Sequence, residues 1–99
     1  MDKTAWIFSY KIKKNVSAEE FMERTQKLHD EVISNAKGFI SWEHYLQKDV
    51  WTDFVLWETP EDADNGTKVG QGLAVTDEFY TCIQMHTCRA LISQLVKKY

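Results

Sequence analysis

Apolar residues recur along the chain with two different periods, and each period predicts a different kind of element. Between residues 4 and 12 every second side chain is large and apolar, which is the spacing of a β-strand. The intervening positions are mostly apolar as well, so we expect both faces of this strand to be covered. The large alternating members are Trp6, Phe8, Tyr10 and Ile12.

The segment 15–38 has the spacing of an amphipathic helix. Ser17 followed by Glu20 matches a capping box at its start, and Gly38 stands where such a helix ends. One imidazole, that of His29, falls within the otherwise largely apolar stripe. The stripe consists of Phe21, Met22, Thr25, Leu28, His29, Val32, Ile33 and Ala36.

Two further strands are predicted at 39–47 and 50–58, and the short link at Lys48 and Asp49 makes them an antiparallel hairpin. Thr59 then has the chemistry of a helix N-cap, with Pro60 at the first helical position.

Residues 59–86 have a helical pattern that glycines interrupt. We therefore predict a broken helix, with one piece near 60–69, a glycine-containing joint, and a second piece near 77–86 that Thr76 caps. A last strand is predicted at 87–99. The interrupting glycines are Gly66, Gly70 and Gly72.

The resulting order, β-α-β-β-α-β, predicts an α+β fold of the ferredoxin-like type, in a single domain spanning 1–99. Four strands form one antiparallel sheet, and both helices lie on one of its faces. The strands carry more apolar surface than one helix-covered face can absorb. Because such a patch usually marks a partner surface, we expect a homodimer packed sheet to sheet.

Composition narrows the class of protein. The 99 residues are 43% hydrophobic and carry a formal charge of −3, which favours neither nucleic acid nor an anionic membrane as a partner. No stretch approaches the roughly twenty apolar residues of a membrane span. Two cysteines are too few for a disulfide framework, so a reducing cytoplasm is the expected compartment.

The element order and the stretch "VLWETPEDA" at 55–63 resemble the dimeric α/β-barrel superfamily, in its antibiotic-biosynthesis-monooxygenase-like branch. The resemblance implies two ferredoxin-like sheets facing each other across a barrel, with a ligand pocket between sheet and helices in each subunit. It also implies oxidation of aromatic compounds by O₂ with no cofactor, neither metal nor flavin.

Haem-degrading members of the superfamily resemble one another in an Asn on the first strand, a Trp ending the third strand and a His on the second helix. Only Trp57 matches this set. Ser9 stands near the first position and Thr67 near the last, so haem degradation is the less favoured alternative.

Two residues are the main candidates for chemistry. Trp57 is either a core residue at a strand end or the wall of a pocket, with its indole N–H orienting a ligand oxygen. His29 is either a partly buried histidine with its hydrogen bonds satisfied or a general base kept neutral by burial. We expect both rings to line one hollow between the first helix and the sheet.

Substrate-binding roles are predicted for Tyr10 as a hydrogen-bond donor, then for Tyr45 and for Phe21 on the helix stripe. Tyr80 is a further candidate donor. Cys82, His86 and Cys88 lie close together in the sequence, but they lack the four ligands and the spacing of a structural zinc site. We therefore predict no metal centre.

Two functions remain open from the sequence. The first is a cofactor-independent monooxygenase-like enzyme acting on a small aromatic or quinone-type compound, with His29 as the base. The second is a non-catalytic dimeric module that binds a small hydrophobic ligand. A cavity of about 300 Å³ or more with His29 and Trp57 on its wall would favour an enzyme or a ligand-binding protein, whereas a filled core would favour a purely structural module.

Overall fold

The computed structural model describes residues 3–99. Four strands form one antiparallel sheet in the order β2-β3-β1-β4, which confirms the predicted ferredoxin-like arrangement. The strands are β1 (Thr4–Tyr10), β2 (Phe39–Gln47), β3 (Val50–Trp57) and β4 (Arg89–Gln94). The helices are α1 (Ala18–Glu31), α2 (Pro60–Gly66) and α3 (Ala74–Thr81), with 3₁₀ turns at Ile33–Asn35 and Met85–Thr87.

The first two helices begin where the sequence places their caps. The Ser17 hydroxyl accepts a hydrogen bond from the Glu20 backbone N–H at 3.0 Å. Thr59 does the same for Asp62 at 3.0 Å. Each cap satisfies one of the backbone donors that a helix start leaves without a partner.

The segment after α2 is a broken helix, as predicted, but its second piece starts earlier than expected. The N-cap of α3 is Leu73, and Thr76 lies inside the first turn. The Leu73 carbonyl accepts from the backbone N–H groups of both Thr76 and Asp77. The predicted capping role of Thr76 is therefore wrong, and its hydroxyl is left for another use.

The alternation of β1 holds in the structure. Its even-numbered residues face the helices, and the strand ends at Tyr10, while Ile12 forms a separate bridge with Ile83. All three helices share this inner face of the sheet, where the core lies. The largest core side chains, all almost completely buried, are Trp57, Tyr10, Phe8, Phe21, Phe79, Ile83 and Val55.

The outer face of the sheet carries an apolar row that no other element covers among residues 3–99. Leu91, Ile7 and Phe54 pair across three neighbouring strands and so form a continuous row. Phe54 is 37% exposed and Leu91 54%. Among the same residues, no helix combines the length and hydropathy that crossing a bilayer requires.

Candidate functional site

A cavity of about 470 Å³ lies between the inner face of the sheet and the α2–α3 segment. Its floor and sides are largely apolar and come from the sheet, α1 and the 3₁₀ turn that follows it. Its polar side chains come from the α2–α3 connection and α3. The lining residues from the first group are Trp6, Leu28, Ile33, Trp42, Val55 and Trp57, and the polar ones from the second are Thr67, Gln71, Thr76, Asp77 and Tyr80.

Three indoles shape the aromatic part of this cavity: those of Trp6, Trp42 and Trp57. Trp6 stacks on Phe8 with 4.5 Å between ring centroids. Trp42 donates from Nε1 to Oδ2 of the buried Asp53 at 3.1 Å. The rings therefore have fixed positions, and they offer flat apolar surfaces to a planar ligand.

Trp57 ends β3 and is only 1% exposed. Its six-membered ring lies so close to Gly66 that a side chain there would overlap it. The indole N–H is buried and has no hydrogen-bond partner among residues 3–99. Because buried donors are nearly always paired, the expected partner of this N–H is a group other than residues 3–99, such as a water or a ligand oxygen.

The polar wall carries two ionisable groups. Asp77 lies in the first turn of α3 and is exposed. Burial raises the pKa of Tyr80 to about 12, with Cys88 and Asp53 adding to the rise. The phenol of Tyr80 is therefore protonated at neutral pH and can donate a hydrogen bond.

His29 is not on the wall of this cavity. It lines a second, smaller pocket of about 290 Å³ together with Met22, Thr25, Gln26, Trp42 and His44. Its Nδ1 lies 2.8 Å from Oδ1 of the neighbouring Asp30, and its ring packs edge-on against Phe39. The expectation that His29 and Trp57 share one hollow is therefore wrong, because His29 lies at the edge of the apolar stripe of α1, against Phe39; its catalytic role stays a prediction.

Tyr10 does not face the cavity either. Its hydroxyl donates to Oδ1 of Asp53 at 2.7 Å. Burial and the neighbouring Asp53 carboxylate raise the pKa of Tyr10. The hydroxyl proton of Tyr10 is therefore already engaged inside the core. To donate to a ligand, Tyr10 would have to break its hydrogen bond with Asp53.

Phe21 and Tyr45 also lie outside the cavity. Phe21 is fully buried in the core between Tyr10, Trp51 and Phe79. Tyr45 points to the other face of the sheet, where it is 52% exposed and donates to Glu43. Of the candidate residues named from the sequence, Trp57 and the further candidate donor Tyr80 line the larger cavity.

Several cavity residues were missed by sequence reasoning. Thr76 was taken for a cap and Asp77 was not singled out, because the start of α3 was placed too late. Trp6 and Trp42 belong to apolar strands, in which alternation does not distinguish a cavity wall from a filled core. One feature of the sequence could have indicated the true start of α3. With Leu73 as the N-cap, Asp77 supplies the acidic residue that is favoured near the start of a helix.

The cysteine and histidine cluster of the sequence does not assemble into a site. Cys82 is buried and donates to the Glu78 carbonyl, whereas His86 is exposed in a 3₁₀ turn. Within the described part of the chain no group of three or more His, Cys, Asp or Glu side chains could hold a metal ion. No histidine lies on the wall of the larger cavity in that part of the chain.

Comparison with known proteins places the fold. The N63A mutant of SnoaB, a cofactor-independent oxygenase from Streptomyces nogalater, superposes on this chain with a TM-score of 0.79. The sequence identity is 8%, and the match covers 99% of this chain and 97% of the other. A Nitrosomonas europaea structure named for antibiotic biosynthesis monooxygenases gives 0.75 at 14% identity, covering 96% and 91%. The chain thus has the ferredoxin-like fold of these monooxygenase structures.

The same fold also carries a different reaction. Hydroxynitrile lyase from Passiflora edulis superposes with a TM-score of 0.73 at 10% identity, covering 99% of this chain and 97% of the other. No profile of a protein family matches the chain, and no curated protein matches its sequence. The fold alone therefore leaves the reaction to be argued from the cavity.

Proposed function

We propose that the protein is a cofactor-independent monooxygenase-like enzyme that acts on a small aromatic or quinone-type compound. The observation that carries this proposal is a cavity lined by three indoles, one of which, that of Trp57, has a buried N–H without a hydrogen-bond partner among residues 3–99. The cavity volume of about 470 Å³ suits a small ligand. The oxygenase named among the structural neighbours supports the class of reaction.

A planar ligand would lie against the indoles with a carbonyl or phenolate oxygen at Trp57 Nε1. A fixed donor in a site that excludes water stabilises negative charge as it develops on that oxygen. Deprotonating the substrate puts charge there. The same N–H would therefore bind the anion more strongly than the neutral substrate.

In the proposed reaction, a ring CH₂ group loses a proton to the Asp77 carboxylate, which lines the cavity. The resulting carbanion, delocalised onto the oxygen at Trp57, gives one electron to O₂. The two radicals combine to form a C–O bond, and the proton returns to give a hydroperoxide. Loss of water leaves a carbonyl, so CH₂ and O₂ become C=O and H₂O.

The test uses an anthrone as substrate, with O₂ uptake and quinone formation measured together. We expect equal amounts of each, and a fall in kcat/KM of about tenfold to a hundredfold in Trp57→Phe, because this variant loses one charge-stabilising donor but keeps an aromatic ring. Trp51→Phe is the control, since Trp51 is buried outside the cavity. Binding of anthrone without O₂ uptake would contradict the enzymatic proposal.

A second candidate is a non-catalytic module that binds the same kind of ligand. It is favoured by the position of His29, whose imidazole lies in the second pocket rather than at the cavity. The same titration separates the two candidates. Binding that Trp57→Phe weakens, with no O₂ consumed, would establish the binding module.

We also propose that two copies form a homodimer through the outer faces of their sheets. The row of Leu91, Ile7 and Phe54 is apolar and uncovered among residues 3–99. Tyr45 extends it by packing edge-on against Phe54 at 5.4 Å. A twofold axis through this row would bury the same surface on both subunits.

For the compartment, we propose the cytoplasm. Cys82 and Cys88 are both free thiols, and a reducing compartment keeps thiols in that form. Burial raises the pKa of each thiol, which lowers its reactivity towards oxidants. Localisation of a tagged chain by fractionation tests this.

A further inference from the structure

We propose that Thr76 is a second hydrogen-bonding position of the cavity, so that the ligand is an aromatic compound with oxygen at two separated ring positions. This inference rests on the proposed binding of an aromatic ligand at Trp57. It adds the residue that selects among such ligands. Thr76 lies on the cavity wall. The sequence predicted only a helix-capping role for it.

The Thr76 hydroxyl is exceptional among the threonines of the helical segments. Four others donate their hydroxyl to a backbone carbonyl three or four residues earlier, at 2.6–2.8 Å. Thr76 makes no such bond, and its buried oxygen has no partner among residues 3–99. The four that do are Thr25, Thr67, Thr81 and Thr87.

The position of Thr76 in α3 explains the difference. The carbonyl three residues earlier belongs to Leu73, which already accepts from the backbone N–H groups of Thr76 and Asp77. The carbonyl four residues earlier belongs to Gly72, whose φ of +83° turns the chain away from helical geometry. The usual intrahelical partners of a threonine are thus occupied or displaced.

The backbone of Gly70 packs close to this hydroxyl, and a side chain at Gly70 would collide with the Thr76 hydroxyl oxygen. Gly70 lines the same cavity. No hydrogen bond to residues 3–99 holds the hydroxyl, so no such bond fixes the χ1 rotamer of Thr76.

The two unpartnered groups come from opposite layers of the cavity. Trp57 belongs to the sheet and Thr76 to the helix that covers it. A ligand that satisfies both must carry oxygens at two places on its ring system. Trp57 only donates, so it takes a carbonyl, phenolate or phenol oxygen, while a threonine hydroxyl either donates or accepts.

The test compares two probes with the same rings, 1-naphthol with one oxygen and 1,5-dihydroxynaphthalene with two, titrated under nitrogen by calorimetry. We expect the unmodified protein to bind the dihydroxy probe about fivefold to tenfold more tightly, the gain from one added hydrogen bond. Thr76→Val keeps the shape and removes the hydroxyl, so the two affinities should agree within about twofold. Thr76→Ser should retain the preference.

Trp51→Phe is the matched control, because Trp51 lies outside the cavity and both affinities and their ratio should stay unchanged. Thr76→Ala replaces Thr76→Val if the valine variant does not fold. A dihydroxy preference that survives removal of the hydroxyl, or equal binding of both probes to the unmodified protein, would overturn the role of Thr76 alone. Failure of the unmodified protein to bind either probe would overturn the proposed function and this inference with it.

Discussion

His44 donates a hydrogen bond from Nδ1 to Oδ1 of Asp53 across 2.6 Å, between the sheet and α1. Its Nε2 lies 3.0 Å from the Thr25 hydroxyl oxygen. The Thr25 hydroxyl also lies 2.8 Å from the Phe21 carbonyl oxygen. His44 thus links α1 to the side chain of Asp53, which is 0% exposed.

Asp53→Asn should destabilise the fold strongly. The two carboxyl oxygens accept from Tyr10, Trp42 and His44, and an amide has only one oxygen to accept these bonds. Each buried donor left without its acceptor costs about 1–3 kcal/mol in the free energy of unfolding, measured by urea denaturation. Asp49→Asn, in the exposed hairpin turn, should change it by less than about 0.5 kcal/mol; equal effects would contradict the pairing.

Gly66→Ala should lower stability and ligand affinity together. The added methyl group overlaps the Trp57 ring, and overpacking of this kind costs about 1–3 kcal/mol. Because Trp57 can relieve the overlap only by moving on the cavity wall, 1-naphthol should bind more weakly. Thermal unfolding measures the stability, and calorimetry measures the affinity. Asn65→Ala is the control, because Asn65 precedes Gly66 and is exposed on α2. Equally mild effects in both variants would contradict the close contact between Gly66 and Trp57.

The proton acceptor can be identified by comparing two variants. Asp77→Asn should lower kcat for anthrone oxidation by about a hundredfold, the usual contribution of a positioned base. His29→Gln should leave kcat within about twofold, because His29 lines the second pocket. A loss in His29→Gln with none in Asp77→Asn would place the chemistry in the second pocket, as the sequence first indicated.

The stability of the protein should fall as the pH rises above 10. Burial raises the pKa of Tyr80 from 10.0 to about 12, so in this range the unfolded chain releases the phenol proton first and unfolding is favoured. Tyr80→Phe should make the decline shallower by up to about 1.4 kcal/mol per pH unit. Tyr99→Phe, in the exposed tail, should leave the slope unchanged, and an unchanged slope in both variants would contradict the burial argument.

Phe54→Glu should convert the proposed dimer to monomers. A carboxylate placed in the outer-face row would be buried without a partner on dimerisation. Sedimentation velocity measures the mass directly. Met22→Glu, on the exposed surface of α1, is the control; a monomeric unmodified protein would contradict the dimer itself.

The sequence predicts the framework well because caps and alternation act locally. Ser17, Thr59 and the Lys48–Asp49 turn fix three boundaries within a few residues of each. The start of α3 could not be placed the same way, because Leu73 offers no side-chain cap and only its backbone carbonyl defines the first turn. The glycines correctly predicted a break but not where the helix resumes.

The candidate site was predicted only in part. Trp57 was placed by its position at the end of a strand, which alternation fixes. His29 shared the apolar stripe of α1 but lies at its edge, since a helical stripe is wide and its margin faces solvent. The pairing of His44 with Asp53 follows from the predicted hairpin, but no local pattern of charges reveals that the Asp53 side chain is buried against Tyr10 and Trp42.

Three of the four tryptophans of the chain line one cavity, which makes the protein its own optical reporter. An occupant would replace solvent against those indoles and shift their combined emission, without any attached dye. The fourth, Trp51, packs edge-on against Phe21 in the core and supplies a constant background. Compound collections can therefore be screened on unlabelled protein.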